Sequence, residues 1–532
     1  MALLLLSAAA AAAAATTPAV DEVSVDVSAP PELSSFVKFW QASVGSGHGA
    51  LGVPGAIAPG PVPVGPGGSL GQMWQEQLKA VHDDLGIHGV RFHGSFDDDM
   101  GPVATGCDAR GRSCTFNFTG LDVLYDGIMA TGVKPIVELS FMPSAIANCT
   151  PGHCPTGMHY RGVEAHPKSW EAWGDLVGAF ASHLVQRHGI EELAQWRFEV
   201  WNEMWGMSFG DGTTGKAEDS PYMALYNASH HALKAVSPRL SVGGPATAEL
   251  EEVTGFIQSL QAWGLPSGPP DFVSTHSYPT DACNSKPDAR LRLDCFTDGI
   301  IAARQQARDH TFLLTEFNCG WRNNAIHDGE SKAYAAAFML RTVNQLRLHN
   351  VSALSWWTFS SIFEEGNLPT NEFGPFGANS ALQTVHGVPL PIYRGFQLLA
   401  DAGDVLLPVG GLNESGPLTV LATHNTTSKT LHIFLSNFAP DDNKVEEQDE
   451  AEDQADICYK MRPNPCTEAS CYVQDTDFSG GDLLPESQKF KTDNASACCD
   501  ACLNYKVDKF CQAWSWRASG SDPHRCASPH LG

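Results

Sequence analysis

Between Phe36 and about Leu406 the chain alternates short apolar runs with segments whose apolar residues recur every three or four positions, the pattern of strands followed by helices. Eight runs read as strands. They are FVKFWQASVG from Phe36, GVRFHG from Gly89, KPIVELSF from Lys134, RFEVWNE from Arg197, RLSVGGP from Arg239, DFVSTHSY from Asp271, TFLLTEF from Thr311 and ALSWWTF from Ala353. Amphipathic stretches lie between them, among them Met73 to Asp84, Trp170 to Arg187, Tyr222 to Ala235 and Lys332 to Leu348. This alternation predicts an α/β fold, a (β/α)8 TIM barrel over residues 36–406.

Polar residues gather where these strands finish: His93, Asn202 with Glu203, His276 with Tyr278, Glu316, and Trp357. Those ends share the C-terminal face of a barrel, where such folds place their chemistry. One polar strand end alone reads as a hydrogen-bonded core residue. Several together mark a site. In RFEVWNEMW, Arg197 to Trp205, a carboxamide beside a carboxylate closes an apolar strand, and such a pair is hard to bury without purpose. Glu316 closes the seventh strand as Glu203 closes the fourth, so the two can face each other across the barrel mouth. Glycoside hydrolysis uses such a pair, one group giving a proton to the leaving oxygen and the other acting as nucleophile or activating water. Glu199, four positions before Glu203, is expected to hold its neighbours through hydrogen bonds, and the Pro/Gly-rich stretch from Val53 to Gly68 reads as an active-face loop.

FEVWNE at Phe198 to Glu203 resembles the acid/base motif of glycoside hydrolase family 39 in the large barrel clan A, and LTEFN at Leu314 to Asn318 resembles its nucleophile motif. WWTFSSIFEE at Trp356 to Glu365, RFHG and THSY are similar to further active-site strands, closer to the β-xylosidases than to the α-L-iduronidases. The resemblance implies Glu203 as general acid/base, Glu316 as nucleophile and Asn202 as partner of the sugar 2-hydroxyl. His93, His276, Tyr278, Trp357, Glu364 and Glu365 fall at the family's sugar-contacting positions. It further implies a retaining reaction on a terminal β-linked sugar of an oligosaccharide or glycoside, with carboxyls roughly 5 to 5.5 Å apart and no cofactor or metal. The Glu316 charge is expected to raise the pKa of Glu203. Met204 and Trp205 stand where the family has proline and a small polar residue, and Cys319 and Gly320 follow the nucleophile motif. An iduronidase-like reading needs cations for a uronate, and only Arg91 and Arg322 offer themselves. A non-catalytic carbohydrate-binding protein would not need both glutamates.

The flanks add smaller parts. Leu3 to Leu6 and Ala8 to Ala15 read as a signal peptide over 1–17, too short to span a bilayer comfortably. Residues 18–35 are expected to supply an accessory strand, and 407–440 a partial β-sandwich through PLTVLATHN and TLHIFLSNF. An acidic linker follows at 441–457. The cysteine-rich tail at 458–532 resembles a PAN/Apple module, which implies a protein or glycan ligand. The 60 acidic against 33 basic residues, net charge -27, disfavour nucleic acid and anionic membranes as partners. The cysteine count of 15 fits an oxidising compartment, with Cys107–Cys114, Cys149–Cys154 and Cys283–Cys295 as local pairs and Cys319 left over as a core thiol. Pairing Cys149 with Cys154 is preferred to a zinc site with His153 and His159. N-x-S/T triplets at Asn117, Asn148, Asn227, Asn350, Asn413, Asn425 and Asn494 agree with a secreted or lumenal glycoprotein.

Overall fold

The computed structural model describes residues 23–53, 69–150, 153–154, 156–157, 162–203, 221–263, 268–280, 283, 285–286, 289–320, 333–362 and 381–438, with two short strands at 490–491 and 525–526. Eight parallel strands close into a barrel: β1 Ser43–His48, β2 Gly89–His93, β3 Lys134–Leu139, β4 Arg197–Val200, β5 Ser241–Thr247, β6 Phe272–Ser277, β7 Thr311–Phe317 and β8 Ala353–Trp356. Each pairs with its sequence neighbours, and β8 returns to β1 through Ser355 opposite Ser43 and Trp356 opposite Val44. A helix follows each strand: α1 Leu70–Leu85, α2 Thr119–Ala130, α3 Trp170–His188, α4 Pro221–Val236, α5 Glu252–Trp263, α6 Ala289–Gln306, α7 Ala333–Leu346 and α8 Pro391–Ala400. Strand and helix order therefore match the expected barrel.

The helix boundaries have local causes. Ser69 and Ser169 precede α1 and α3 and accept hydrogen bonds from the amides of Gln72 and Ala172, both at 3.1 Å, satisfying donors a first turn leaves open. Gly86 ends α1 in the left-handed region at φ 69°, which costs a glycine little. α8 opens with Pro391, whose missing amide hydrogen is not needed there.

The first strand differs from its expectation. Phe39–Gln41 form a 3₁₀ turn, and the strand begins only at Ser43. Phe36, Phe39 and Trp40 are buried and pack on one another, so their aromatic character marks packing rather than strand. Inside the barrel the wall closes with small side chains. The Ser43 and Ser355 hydroxyls meet at 2.5 Å, and a Cβ on Gly243 would lie 2.4 Å from the Phe272 ring, which fills that space.

Outside the barrel β9 Val405–Leu407, β10 Leu418–Asn425 and β11 Thr430–Asn437 form a three-stranded sheet. The expected hairpin is present, Leu418 opposite Asn437 through Asn425 opposite Thr430. What the described residues contain is one sheet against α7, through Phe438 on Tyr334 at 5.2 Å and Arg341 on the Gly416 carbonyl at 2.8 Å, rather than two facing sheets. The N-terminal segment does not join this sheet as a full strand. Ser24–Val25 pairs with Val409–Gly410, and Leu33 bridges Leu406. Residues 441–532 make a separate compact unit. Of it only the antiparallel pair Phe490–Lys491 with Arg525–Cys526 is described, so the linker and the cysteine-rich module lie outside the described residues. The signal segment at 1–17 and most of the Val53–Gly68 loop lie outside them too. Disulfides join Cys107–Cys114, Cys149–Cys154 and Cys283–Cys295 as expected, and Cys319 is buried without one. No described helix is long and apolar enough to cross a membrane.

Candidate active site

The C-terminal strand ends bring Glu203, His276 and Glu316 together. A carboxylate oxygen of each glutamate and a ring nitrogen of His276 all lie within 4.8 Å of one another. Glu203 follows β4, with its backbone in the left-handed region at φ 51° and Trp201 likewise at φ 67°. Such angles on non-glycine residues cost on the order of 1–3 kcal/mol each. The turn is pinned by the Glu203 amide on the Ala246 carbonyl at 2.8 Å and by burial of Trp201 against Phe141, ring centres 5.2 Å apart.

Glu316, 4% exposed, is held from three sides. The Tyr278 hydroxyl donates to Oε1 at 2.5 Å, Arg91 Nη1 donates to Oε2 at 3.2 Å, and His276 Nδ1 lies 3.5 Å from Oε2. His276 Nδ1 is also 2.9 Å from Glu203 Oε1. Burial depresses the His276 pKa to about 4, with Arg91 adding to this and Glu316 opposing it, so the ring is neutral. Its Nε2 is buried without a hydrogen-bond partner. An orphaned N–H is rarer than an orphaned lone pair, which puts the proton on Nδ1, donating to Glu203.

Burial raises the Glu203 pKa, His93 and Arg91 pull it down, and Glu138 pushes it up. Burial likewise raises Glu316, with His276 and Arg91 opposing and Glu203 adding. The Glu316 charge was expected to raise the Glu203 pKa; the rise is there, but its first cause is burial, and the repulsion between the two carboxylates acts on Glu316. Two donors, Tyr278 and Arg91, favour the ionised form of Glu316. Glu203 has one such donor, His276 Nδ1.

Beneath the carboxylates lies a buried charge network that the strand-end pattern did not disclose. Arg91 on β2 is fully buried and donates to Glu199 Oε2 at 2.5 Å and to Asn202 Oδ1 at 2.7 Å, and it pairs with Glu138 Oε2 at 2.7 Å. Its donors are thus occupied by protein groups, and Arg91 is not the free cation a uronate would need. Glu199 also accepts from Thr315 Oγ1 at 2.8 Å, in keeping with its expected holding role. Oδ1 of Asn202 is thus committed to Arg91. His93 Nδ1 sits 2.8 Å from Glu138 Oε2. Burial lowers the His93 pKa, but Glu138, by charge and hydrogen bond, outweighs it and the net shift is upward. Burial raises Glu138, and Arg91 and His93 outweigh that to leave it lowered.

Trp357 is buried beside His93, ring centres 4.8 Å apart, and closes one wall. His93, Asn202, Glu203, His276, Tyr278, Glu316 and Trp357 thus converge on one face. Glu364, Glu365, Met204, Trp205 and Arg322 lie outside the described residues. Glu138 and Thr315 were not singled out from sequence, and Arg91 only as a candidate cation for a uronate, because each sits inside a strand.

A closed parallel barrel with two carboxylates meeting at its C-terminal mouth, Glu316 buried and Glu203 half-buried, defines the class of barrel glycoside hydrolases. Residues 23–465 match the profile of glycosyl hydrolases family 39, and the chain belongs to that family. It is 32% identical over 423 residues to a beta-xylosidase of Caldicellulosiruptor saccharolyticus, covering 78% of this chain and 78% of that protein. An alpha-L-iduronidase of Homo sapiens is 29% identical over 176 residues, 32% of this chain and 24% of that protein. Among solved structures a monomeric beta-xylosidase from Caulobacter crescentus CB15 superposes with a TM-score of 0.60 at 28% identity, covering 74% of this chain and 73% of that one. The family match stops at residue 465, short of most of the cysteine-rich tail.

Proposed function

We propose that the chain is a retaining β-xylosidase-like hydrolase that cleaves terminal β-linked sugars by double displacement. The observation that carries this reading is the approach of a Glu203 oxygen and a Glu316 oxygen to within 4.8 Å, compatible with the roughly 5 to 5.5 Å of retaining enzymes and short of the roughly 6.5 to 9.5 Å of inverting ones. Glu316, ionised by its donors, attacks the anomeric carbon while Glu203 gives its proton to the departing oxygen. Esterification removes the Glu316 charge, and Glu203 then deprotonates the water that releases the sugar. Asn202, oriented through Arg91, offers its amide to the 2-hydroxyl. The occupied state of Arg91 favours a neutral sugar over a uronic acid, and the coverage by beta-xylosidases supports the same choice.

A secreted or lumenal place of action is supported by the three disulfides. The tail at 458–532, read as a PAN/Apple-like binding module, stays part of the proposal on its cysteine pattern. The test is a panel of aryl β-xyloside, aryl β-glucoside and aryl α-iduronide, run with wild type and Glu316→Ala. Turnover on the xyloside, lost in the variant and rescued by azide as an inverted glycosyl product, is expected. Preference for the iduronide, or full activity without Glu316, contradicts the reading.

A further inference from the structure

One cluster of ligand-type side chains stands apart from the carboxylate pair. His48 ends β1 and is 2% exposed, and its Nε2 lies 3.2 Å from Asp99 Oδ1 and 3.7 Å from Asp97 Oδ2. The three donor atoms are all within 4.8 Å of one another. Asp97 is 6% exposed. Its Oδ1 accepts from the Phe141 amide at 3.2 Å, but its Oδ2 is buried and has no hydrogen-bond partner. A carboxylate oxygen in that state is costly unless something else satisfies it. Glycine at 94 is what leaves this group unobstructed on that side: a Cβ there would lie 2.4 Å from Asp97 Oδ2 and 3.1 Å from His48 Cδ2.

We propose that His48, Asp97 and Asp99 form a binding site for a divalent first-row transition ion such as Mn²⁺ or Zn²⁺. Around an ion bound at about 2.1 Å, neighbouring ligand atoms sit about 3.0 to 3.5 Å apart, close to the spacings of His48 from the two aspartates. One imidazole and two carboxylates make a mixed nitrogen and oxygen set that suits such ions. Asp99, with its side chain 52% exposed, gives the ion a route from solvent and leaves room for waters. The site joins three successive strand ends: His48 of β1, in register with His93 of β2; the Gly94–Asp99 turn; and the Phe141 amide after β3. A bound ion stiffens the wall that carries His93 without touching the carboxylate pair.

The experiment titrates Mn²⁺ into the full-length, untagged, chelator-stripped chain and follows free Mn²⁺ by electron paramagnetic resonance. Mn²⁺ is the probe because Zn²⁺ also binds thiolates, and the chain carries 15 cysteines. Expected is one site with Kd between about 10⁻⁶ and 10⁻⁴ M, and a Tm rise of roughly 2 to 5 °C at a hundredfold excess over Kd. D99N and H48Q each weaken it at least tenfold, and Glu203→Gln leaves it intact. D99N changes an exposed residue, so its ion-free Tm should equal that of wild type and keep the loss interpretable. No site tighter than about 10⁻³ M overturns the proposal and leaves His48 simply hydrogen-bonded to Asp99. Binding that survives D99N, or disappears in Glu203→Gln, overturns it by placing the ion elsewhere.

Discussion

Glu203 and Glu316 differ in depth, their side chains 23% and 6% exposed, and in what surrounds them. Tyr278 gives Glu316 a hydroxyl at 2.5 Å that Glu203 lacks, and Arg91 adds a second donor. Tyr278→Phe should therefore raise the Glu316 pKa, moving the acidic limb of the kcat/KM profile to higher pH and lowering kcat by about 10²-fold or less. An unmoved limb would remove Tyr278 from this role. Glu203→Gln should slow substrates with poor leaving groups far more than activated aryl glycosides, and equal losses would argue against an acid at this position. Stability should move the other way. Burial raises the Glu203 pKa in the folded chain. Its contribution to stability is then full below the ordinary value of 4.5 and is lost as pH climbs through the raised one. Tm of Glu203→Gln relative to wild type should accordingly rise between pH 4.5 and neutrality, and a flat difference would contradict the shift. Glu138 has the opposite sign: its lowered pKa stabilises above 4.5, and that support is lost as pH falls through the folded value.

At the scale of elements, the strand ends were legible and the strand interiors were not. His93, Glu203, His276 and Glu316 stand out because each breaks an apolar run where a barrel opens. Glu138 and Arg91 are enclosed by apolar neighbours, and their meaning depends on register. Glu138 lies opposite Glu199 across β3 and β4, and Arg91 one strand away supplies the charge that lets two acids share that level. Nothing in a single run announces that arrangement. Because Arg91 neutralises buried carboxylates, Arg91→Met should cost roughly 3–5 kcal/mol in denaturant unfolding, and a loss below about 1 kcal/mol would contradict the network. The β1 expectation failed for a related reason. Phe36, Phe39 and Trp40 carry strand propensity, but they are used as a buried aromatic cluster ahead of the strand, a tertiary choice that overrides local preference. A Cβ at Gly45 would lie 2.5 Å from the Trp357 ring, so Gly45→Ala should disturb the wall that Trp357 closes as well as the strand.

On the scale of the whole molecule, the alternation that predicts the barrel also fixes which end does chemistry, since every strand points the same way. The accessory sheet was legible as a hairpin. Its extent was not, because a lone sheet against α7 and half a sandwich share the same alternation of apolar and polar residues. All described site residues lie within the compact unit ending at Pro440. Ending the chain after residue 465, where the family match stops, should leave kcat/KM on an aryl β-xyloside within about twofold; a large loss would show that the tail takes part in turnover.

The central claim is that Glu316 forms a covalent bond to the sugar, and the stereochemistry of the first product tests it most directly. Proton NMR during hydrolysis of an aryl β-xyloside distinguishes the anomers before mutarotation mixes them. Double displacement through Glu316 predicts that β-xylose appears first and the α-anomer only later. The α-anomer appearing first would mean inversion, and would contradict Glu316 as nucleophile and Glu203 as its acid/base partner.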